Sequence, residues 1–138
     1  MAQKQDSLKE KIIREMTADY ANALEKNFNL AKQFIRITKN GKVDIVCKDK
    51  LTGQEQILIY LIGKLYAREA GLAPTGDASN KELMDEIGIP KGSLLPWLKE
   101  LRDRKRIDQI KREKYKHHSI SVNFVDRTLH DIDKNLKK

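Results

Sequence analysis

The sequence predicts a mainly α protein with a small β component (α+β), and three observations lead there. Apolar residues recur at steps of three and four along most of the chain, the spacing that gathers them on one face of a helix. Three hydroxyl-x-x-Glu tetrads, Ser7–Glu10, Thr52–Glu55 and Ser79–Glu82, have the form of a capping box, in which hydroxyl and carboxylate each accept from a backbone N–H at a helix start. Strand-like alternation is confined to two short regions, each divided by turn-forming or charged residues.

The first tetrad opens a helix whose stripe is Leu8, Ile12, Ile13, Met16, Tyr20, Leu24, Phe28, Ala31 and Phe34 or Ile35, running to about residue 35 without Gly or Pro. So long and charged a helix cannot cover its own stripe; it must lie across the rest of the chain or pair with a second copy. Phe34 to Thr38 alternates, Asn40-Gly41 signals a type I′ turn with positive φ at both residues, and Val43 to Cys47 answers it, which predicts a β-hairpin. Thr52 starts a strongly apolar helix to about Ala70, with Gly71 as the residue that ends it. Ala73-Pro74-Thr75-Gly76-Asp77 reads as a loop.

Ser79 caps a short helix carrying Leu83, Met84 and Ile87, which Gly88-Ile89-Pro90 breaks. Leu94, Leu98 and Leu101 mark the inward stripe of the next helix. Ile107 to Lys111 and Ser119 to Asn123 read as strands joined by the polar Arg112-Glu113-Lys114-Tyr115-Lys116. Val125, Leu129, Ile132 and Leu136 predict a short amphipathic helix. The chain thus divides into an extension of helix and hairpin (1–50), a central unit (51–124) and a C-terminal helix (125–138).

Composition narrows the class. The chain has 138 residues, 35% of them charged, against roughly 25% in an ordinary domain. Its net charge of +8 favours an anionic partner, nucleic acid above all. The lone Cys47 cannot form an internal disulfide and fits a reducing compartment. MAQKQDSLKEK has no apolar secretory region, and the run from Ile57 to Ile62 is too short to span a bilayer. The expectation is a soluble cytoplasmic protein with no membrane association, nucleoid-associated if it binds DNA.

From residue 52 to 123 the order is helix, short helix, tight turn, helix, strand, basic loop, strand. A helix-turn-helix needs the later helix to lie across the earlier one so that its outer face enters a major groove about 12 Å wide. Gly88 suits the turn, because glycine reaches backbone conformations that other residues reach only with strain. The segment NKELMDEIGIPKGSLLPWLKELRDRKRI, Asn80 to Ile107, resembles the winged helix-turn-helix of PadR- and MarR-type transcription regulators. Within it Gly92 to Leu101 is most similar to the PadR recognition helix, which commonly reads small residue, Leu, Tyr, Pro, any residue, Leu, basic residue, Leu. Leu95 stands where that pattern has Tyr, and Lys105-Arg106 replaces the Gly-plus-apolar pair that often precedes the first wing strand. The N-terminal helix and hairpin fall outside the resemblance, so it implies DNA binding but no ligand sensing.

Charge placement supports the same region independently. From Lys99 to His118, nine basic residues (Lys99, Arg102, Arg104, Lys105, Arg106, Lys111, Arg112, Lys114, Lys116) oppose four acidic ones (Glu100, Asp103, Asp108, Glu113), a net +5. Residues 51–98 net −2. Positive charge therefore collects at the end of the recognition helix (about 90–103) and on the wing (about 107–123), where phosphate is met. The expected DNA-binding residues are those nine together with Lys91, Gly92, Ser93 and Leu95 on the outward helix face and Tyr115 at the wing tip. Lys91 and Ser93 can donate to base edges or phosphates, but the face lacks the Arg, Asn or Gln of strong direct readout, so weak sequence preference is expected.

Trp97 reads as core or interface. His117 and His118 are adjacent, so on a strand they face opposite ways and cannot share a metal. No Gly-rich phosphate loop, nucleophile elbow or His-Glu-x-x-His motif is present. No enzyme activity, cofactor, metal or small-molecule ligand is expected. The partners expected are double-stranded DNA and a second copy bound through the N- and C-terminal helices; the other reading of those stripes folds both helices back on the same domain. The role is that of a transcription regulator or DNA-organising protein. Two other classes stay open: a protein adaptor using the Leu95-Pro96-Trp97 patch, and RNA binding by the same basic face.

Overall fold

One helix, α4 (Gly53–Glu69), lies at the centre, because its sequence is apolar on every side. Ile57 through Gly63 are all buried, and so are Leu65 and Ala67; a helix that is apolar all round must be covered all round. The computed structural model describes residues 7–15 and 20–137, an α+β arrangement of seven α-helices and two small antiparallel sheets among those residues. None of its helices is long and apolar enough to cross a membrane, again among the described residues.

Against one side of α4 lies the hairpin of β1 (Ile35–Ile37) and β2 (Val43–Ile45), with Ile35 opposite Ile45 and Ile37 opposite Val43. Gly63 makes this approach possible: a Cβ there would stand 2.4 Å from a Val43 methyl. The turn differs from the I′ expectation, since Gly41 has positive φ (84°) and Asn40 does not. Thr38 N–H donates to the Lys42 carbonyl and Gly41 N–H to the Thr38 carbonyl, both at 2.9 Å. That is a three-residue loop, a tight turn followed by a left-handed glycine, the next most common hairpin solution.

The single long N-terminal helix is not what forms. The described residues give three short helices, α1 (Leu8–Glu15), α2 (Tyr20–Lys26) and α3 (Phe28–Ala31); Met16 lies outside the described residues. Asn27 interrupts the run. Its buried amide donates to the Ala23 carbonyl at 2.9 Å, competing with the backbone ladder, and its own backbone leaves helical geometry (φ −100°, ψ 9°). The apolar stripe splits accordingly: Leu24, Ala31 and Phe34 enter the core, whereas Phe28 is half exposed.

The other side of α4 carries α5 (Asn80–Ile87), α6 (Lys91–Asp103), a sheet of strand order β3-β5-β4, and α7 (Val125–Leu136). In that sheet β3 is Ala78–Ser79, β4 is Ile107–Arg112 and β5 is Tyr115–Ile120. β5 begins earlier than the alternation suggested, leaving only Glu113-Lys114 as the loop, and residues 122–124 form a 3-10 turn. Val125, Leu129 and Ile132 of α7 are buried in the same chain, which satisfies the C-terminal stripe without a partner.

The three tetrads cap their helices to different degrees, and at the first Ser7 Oγ accepts from Glu10 N–H at 3.2 Å. Thr52 and Glu55 close a complete capping box on α4. Ser79 Oγ accepts from Glu82 N–H at 3.1 Å, but the Glu82 carboxylate accepts from Tyr60 Oη at 2.6 Å and pairs with Lys64 at 3.0 Å. Glu82 thus ties α5 to α4 instead of returning to its own cap. At the far end of α4, Gly71 (φ 75°) gives its N–H to Arg68 while Leu72 gives its N–H to Ala67, a Schellman ending.

Candidate nucleic-acid interface

α5 ends in Gly88, held left-handed at φ 86° and ψ 27°, a geometry natural to glycine. Pro90 then caps α6 in extended conformation. A further support was not legible in the sequence. Lys48, in the 3-10 turn Lys48–Lys50 after β2, reaches across to donate its ammonium to the Ile87 carbonyl. A cation at the C-terminal end of α5 meets carbonyls with no helical partner, so the hairpin region steadies the turn that aims α6.

On α6, Leu94, Leu98 and Leu101 are buried at 2% exposure or less. Trp97 is half buried with its ring over Gly53, where a Cβ would stand 2.1 Å from it. This matches its reading as a packing residue. Lys91, Gly92, Leu95, Pro96 and Lys99 are exposed, and Ser93 is half buried. Pro96 has no N–H to give the Gly92 carbonyl one turn earlier, and nothing lies within 4 Å of where a Gly92 Cβ would be. Lys99 pairs with Asp103 at 3.0 Å, an exposed i,i+4 pair that competes only weakly with another anion.

The β4–β5 ribbon leaves the core gradually, and strand alternation decides what each face carries. One face has the pairs Ile107–Ile120, Gln109–His118 and Lys111–Lys116 in succession. It passes from buried apolar residues through polar ones to two directly opposed cations, an arrangement that repels unless an anion sits on it. The other face has Asp108–Ser119, Ile110–His117 and Arg112–Tyr115. At the tip Glu113 holds positive φ (55°), while Lys111, Lys114, Tyr115 and Lys116 are exposed.

Two expected contacts are already committed elsewhere. Arg112 gives Nε and Nη2 to Asp77 at 2.9 and 2.7 Å, and His117 Nδ1 lies 2.8 Å from the other oxygen. Asp77 is only 5% exposed. Burial pushes its pKa up, but the hydrogen bonds from Arg112 and His117 outweigh burial and hold it below the ordinary value. This cluster anchors the ribbon to the loop after α4. Arg106 is likewise half buried, pairing with Asp131 of α7 at 3.4 Å and lying over the Phe124 ring. Arg104 and Lys105 stay exposed at the end of α6, Lys105 in left-handed conformation (φ 59°).

The two histidines do part, as adjacent strand residues must. His118 is 1% exposed, its Nε2 2.6 Å from Asn80 Oδ1. Burial lowers its pKa to about 4, helped by Arg102, His117 and Lys116, so the ring is neutral near pH 7. Among the described residues no group of three His, Cys, Asp or Glu side chains could hold a metal.

Between α6 and the ribbon lies a cleft of about 500 Å³. Lys91, Lys99, Arg102 and Lys116 line it, together with Asn80, Gln109 and His118. The last three were not expected at the site. Gln109 and His118 could have been found from strand alternation had the pairing register been known; Asn80 could not, being remote in sequence. The chain matches no known protein family, no curated protein and no solved structure.

Proposed function

We propose that this protein is a winged helix-turn-helix protein that binds double-stranded DNA, with α6 as the recognition helix and the β4–β5 ribbon as the wing. The observation that carries the reading is the exposed basic surface of α6 and the ribbon. Lys91, Arg104, Lys105, Lys111, Lys114 and Lys116 are exposed there and have no acidic partner among the described residues. Cations left unpaired and grouped on one helix and one protruding ribbon suit a polyphosphate. The helix, turn, helix and two-stranded ribbon order supports the same reading.

Lys91, Gly92, Ser93, Leu95 and Lys99 would face the groove. Lys111, Lys114, Tyr115 and Lys116 would meet the flanking backbone with Arg104 and Lys105. Arg102 would reach a phosphate only at the cleft, Arg112 only by leaving Asp77, and Arg106 would act through packing. With no Arg, Asn or Gln on the exposed helix face, binding is weakly sequence-selective, as in a DNA-organising protein or a broad transcription regulator of the cytoplasm or nucleoid. No catalytic step is assigned. A second copy would pair through α1, whose Leu8, Ile12 and Ile13 are exposed; light scattering gives the mass.

One observation favours a different partner. Leu95 is 42% exposed beside Pro96, an apolar spot that a protein could cover. Binding to labelled duplex DNA and to structured RNA, each measured for the native chain, Lys91→Ala and Lys114→Ala, separates the readings. Duplex preference with weaker binding by both variants supports DNA. Preference for RNA moves the partner to RNA, and capture of a protein that survives nuclease and moderate salt moves it to an adaptor role.

A further inference from the structure

Five features single out the α6–ribbon cleft as more than a stretch of backbone-binding surface. It is a recess of about 500 Å³, inside the range of roughly 300–1,000 Å³ typical of small-molecule sites. No carboxylate lines it. Arg102 is half buried there with no anionic partner among the described residues, and a guanidinium offers five N–H donors in a planar fork suited to phosphate. Leu95 and Leu98 supply an apolar wall. Gln109 and His118 line it as well, and with Asn80 they add neutral polar groups beside the cations.

The lining specifies part of the ligand. Arg102, Lys116 and Lys91 call for a phosphate, while Leu95 and Leu98 call for an apolar face carried on the same molecule. A duplex presents its phosphates on a body too wide to enter the recess.

We propose that the cleft binds a single nucleotide, its phosphate held by Arg102, Lys116 and Lys91 and its base or sugar seated against Leu95, Leu98 and Gln109. The nucleotide comes either free or as an unstacked residue of a nucleic-acid strand. The inference extends the proposed DNA reading, because Lys91, Lys99, Arg102 and Lys116 serve both, and it makes a bound nucleotide a competitor of the duplex.

The test is an NMR titration of the full isotope-labelled chain with adenosine 5′-monophosphate, and separately with adenosine, inorganic phosphate and a 5′-phosphorylated single-stranded tetranucleotide. Duplex binding is measured in parallel by anisotropy, with and without adenosine 5′-monophosphate. Saturable shifts of the Asn80 and Gln109 side-chain amides and the His118 ring, stronger than with either fragment, are expected. Arg102→Gln should weaken nucleotide binding tenfold or more; the exposed Gln109→Ala gives a second variant that leaves the core untouched. Binding by the tetranucleotide alone supports the site and assigns the strand as its source. Inorganic phosphate matching the nucleotide, or shifts confined to surface lysines, overturns the proposal. Duplex binding without any nucleotide binding overturns it too and leaves the DNA reading standing; nucleotide binding without duplex binding does the reverse.

Discussion

Lys105 follows α6 at the position where the helix must be stopped, and it stops it in a conformation that lysine resists. Its N–H donates to the Arg102 carbonyl and the next N–H, of Arg106, to the Leu101 carbonyl, both at 2.9 Å. This is a Schellman ending whose left-handed residue (φ 59°) is usually glycine. A non-glycine residue held there costs of order 1–3 kcal/mol, while glycine loses an extra ~0.5–1 kcal/mol of chain entropy on folding. Lys105→Gly should therefore stabilise the fold by about 1 kcal/mol, a rise in Tm of roughly 3–5 °C for a chain this size. It also removes an exposed cation, so the slope of log affinity against log salt should become shallower by about 0.9 if Lys105 meets a phosphate. Lys105→Ala separates the two effects: it deletes the charge but keeps the Cβ, and should lower the slope with no gain in Tm. Thermal melts and anisotropy at four salt concentrations read both. If Lys105→Gly melts no higher than Lys105→Ala, the strain argument is wrong. An unchanged salt slope in both variants removes Lys105 from the interface.

Gly53→Ala would drive a Cβ to within 2.1 Å of the Trp97 ring, and such overpacking costs about 1–3 kcal/mol. As Trp97 is the only tryptophan, urea unfolding and emission wavelength should move together; no change in either rejects the contact. His118, at about 4 when folded against 6.5 for the free side chain, takes up a proton more readily in the unfolded chain. Stability should therefore fall as pH drops from 6.5 towards 4, by up to ~3 kcal/mol. Urea unfolding at pH 7 and pH 5 should show this slope in the native chain and lose it in His118→Gln; equal slopes contradict the buried neutral ring. Asp77→Asn should cost about 1–3 kcal/mol and speed amide exchange along β5, where unchanged protection would mean the Arg112–Asp77–His117 cluster does not anchor the ribbon.

Much of the local order was readable because single residues fix it. Thr52 with Glu55, Gly71 and Gly88 each announce a helix boundary, and each sits where its chemistry placed it. The N-terminal helix breaks sooner than its apolar spacing predicts, because spacing cannot reveal that Asn27 takes the Ala23 carbonyl. Asn40-Gly41 reads as a type I′ turn from sequence, yet Gly41 alone is left-handed, and a three-residue loop needs only one such residue. At the candidate site, the exposed face of α6 followed from its leucine stripe. The capture of Arg112 and Arg106 by Asp77 and Asp131 did not, since ion pairs across 35 and 25 residues depend on tertiary placement. The cleft is of the same kind: its residues come from α5, α6 and both ribbon strands, and only the register of β4 on β5 brings Gln109 beside His118.

Nucleic-acid recognition by α6 and the ribbon is tested most directly by fluorescence anisotropy of a labelled random 30-base-pair duplex titrated with the native chain at several salt concentrations. Binding should appear with a log affinity that falls with log salt at a slope of about −3.6 or steeper, as four or more phosphate contacts require, and Lys91→Ala and Lys114→Ala should each make that slope shallower. Absence of binding even at low salt, or binding that salt does not weaken, would contradict nucleic-acid recognition by α6 and the ribbon.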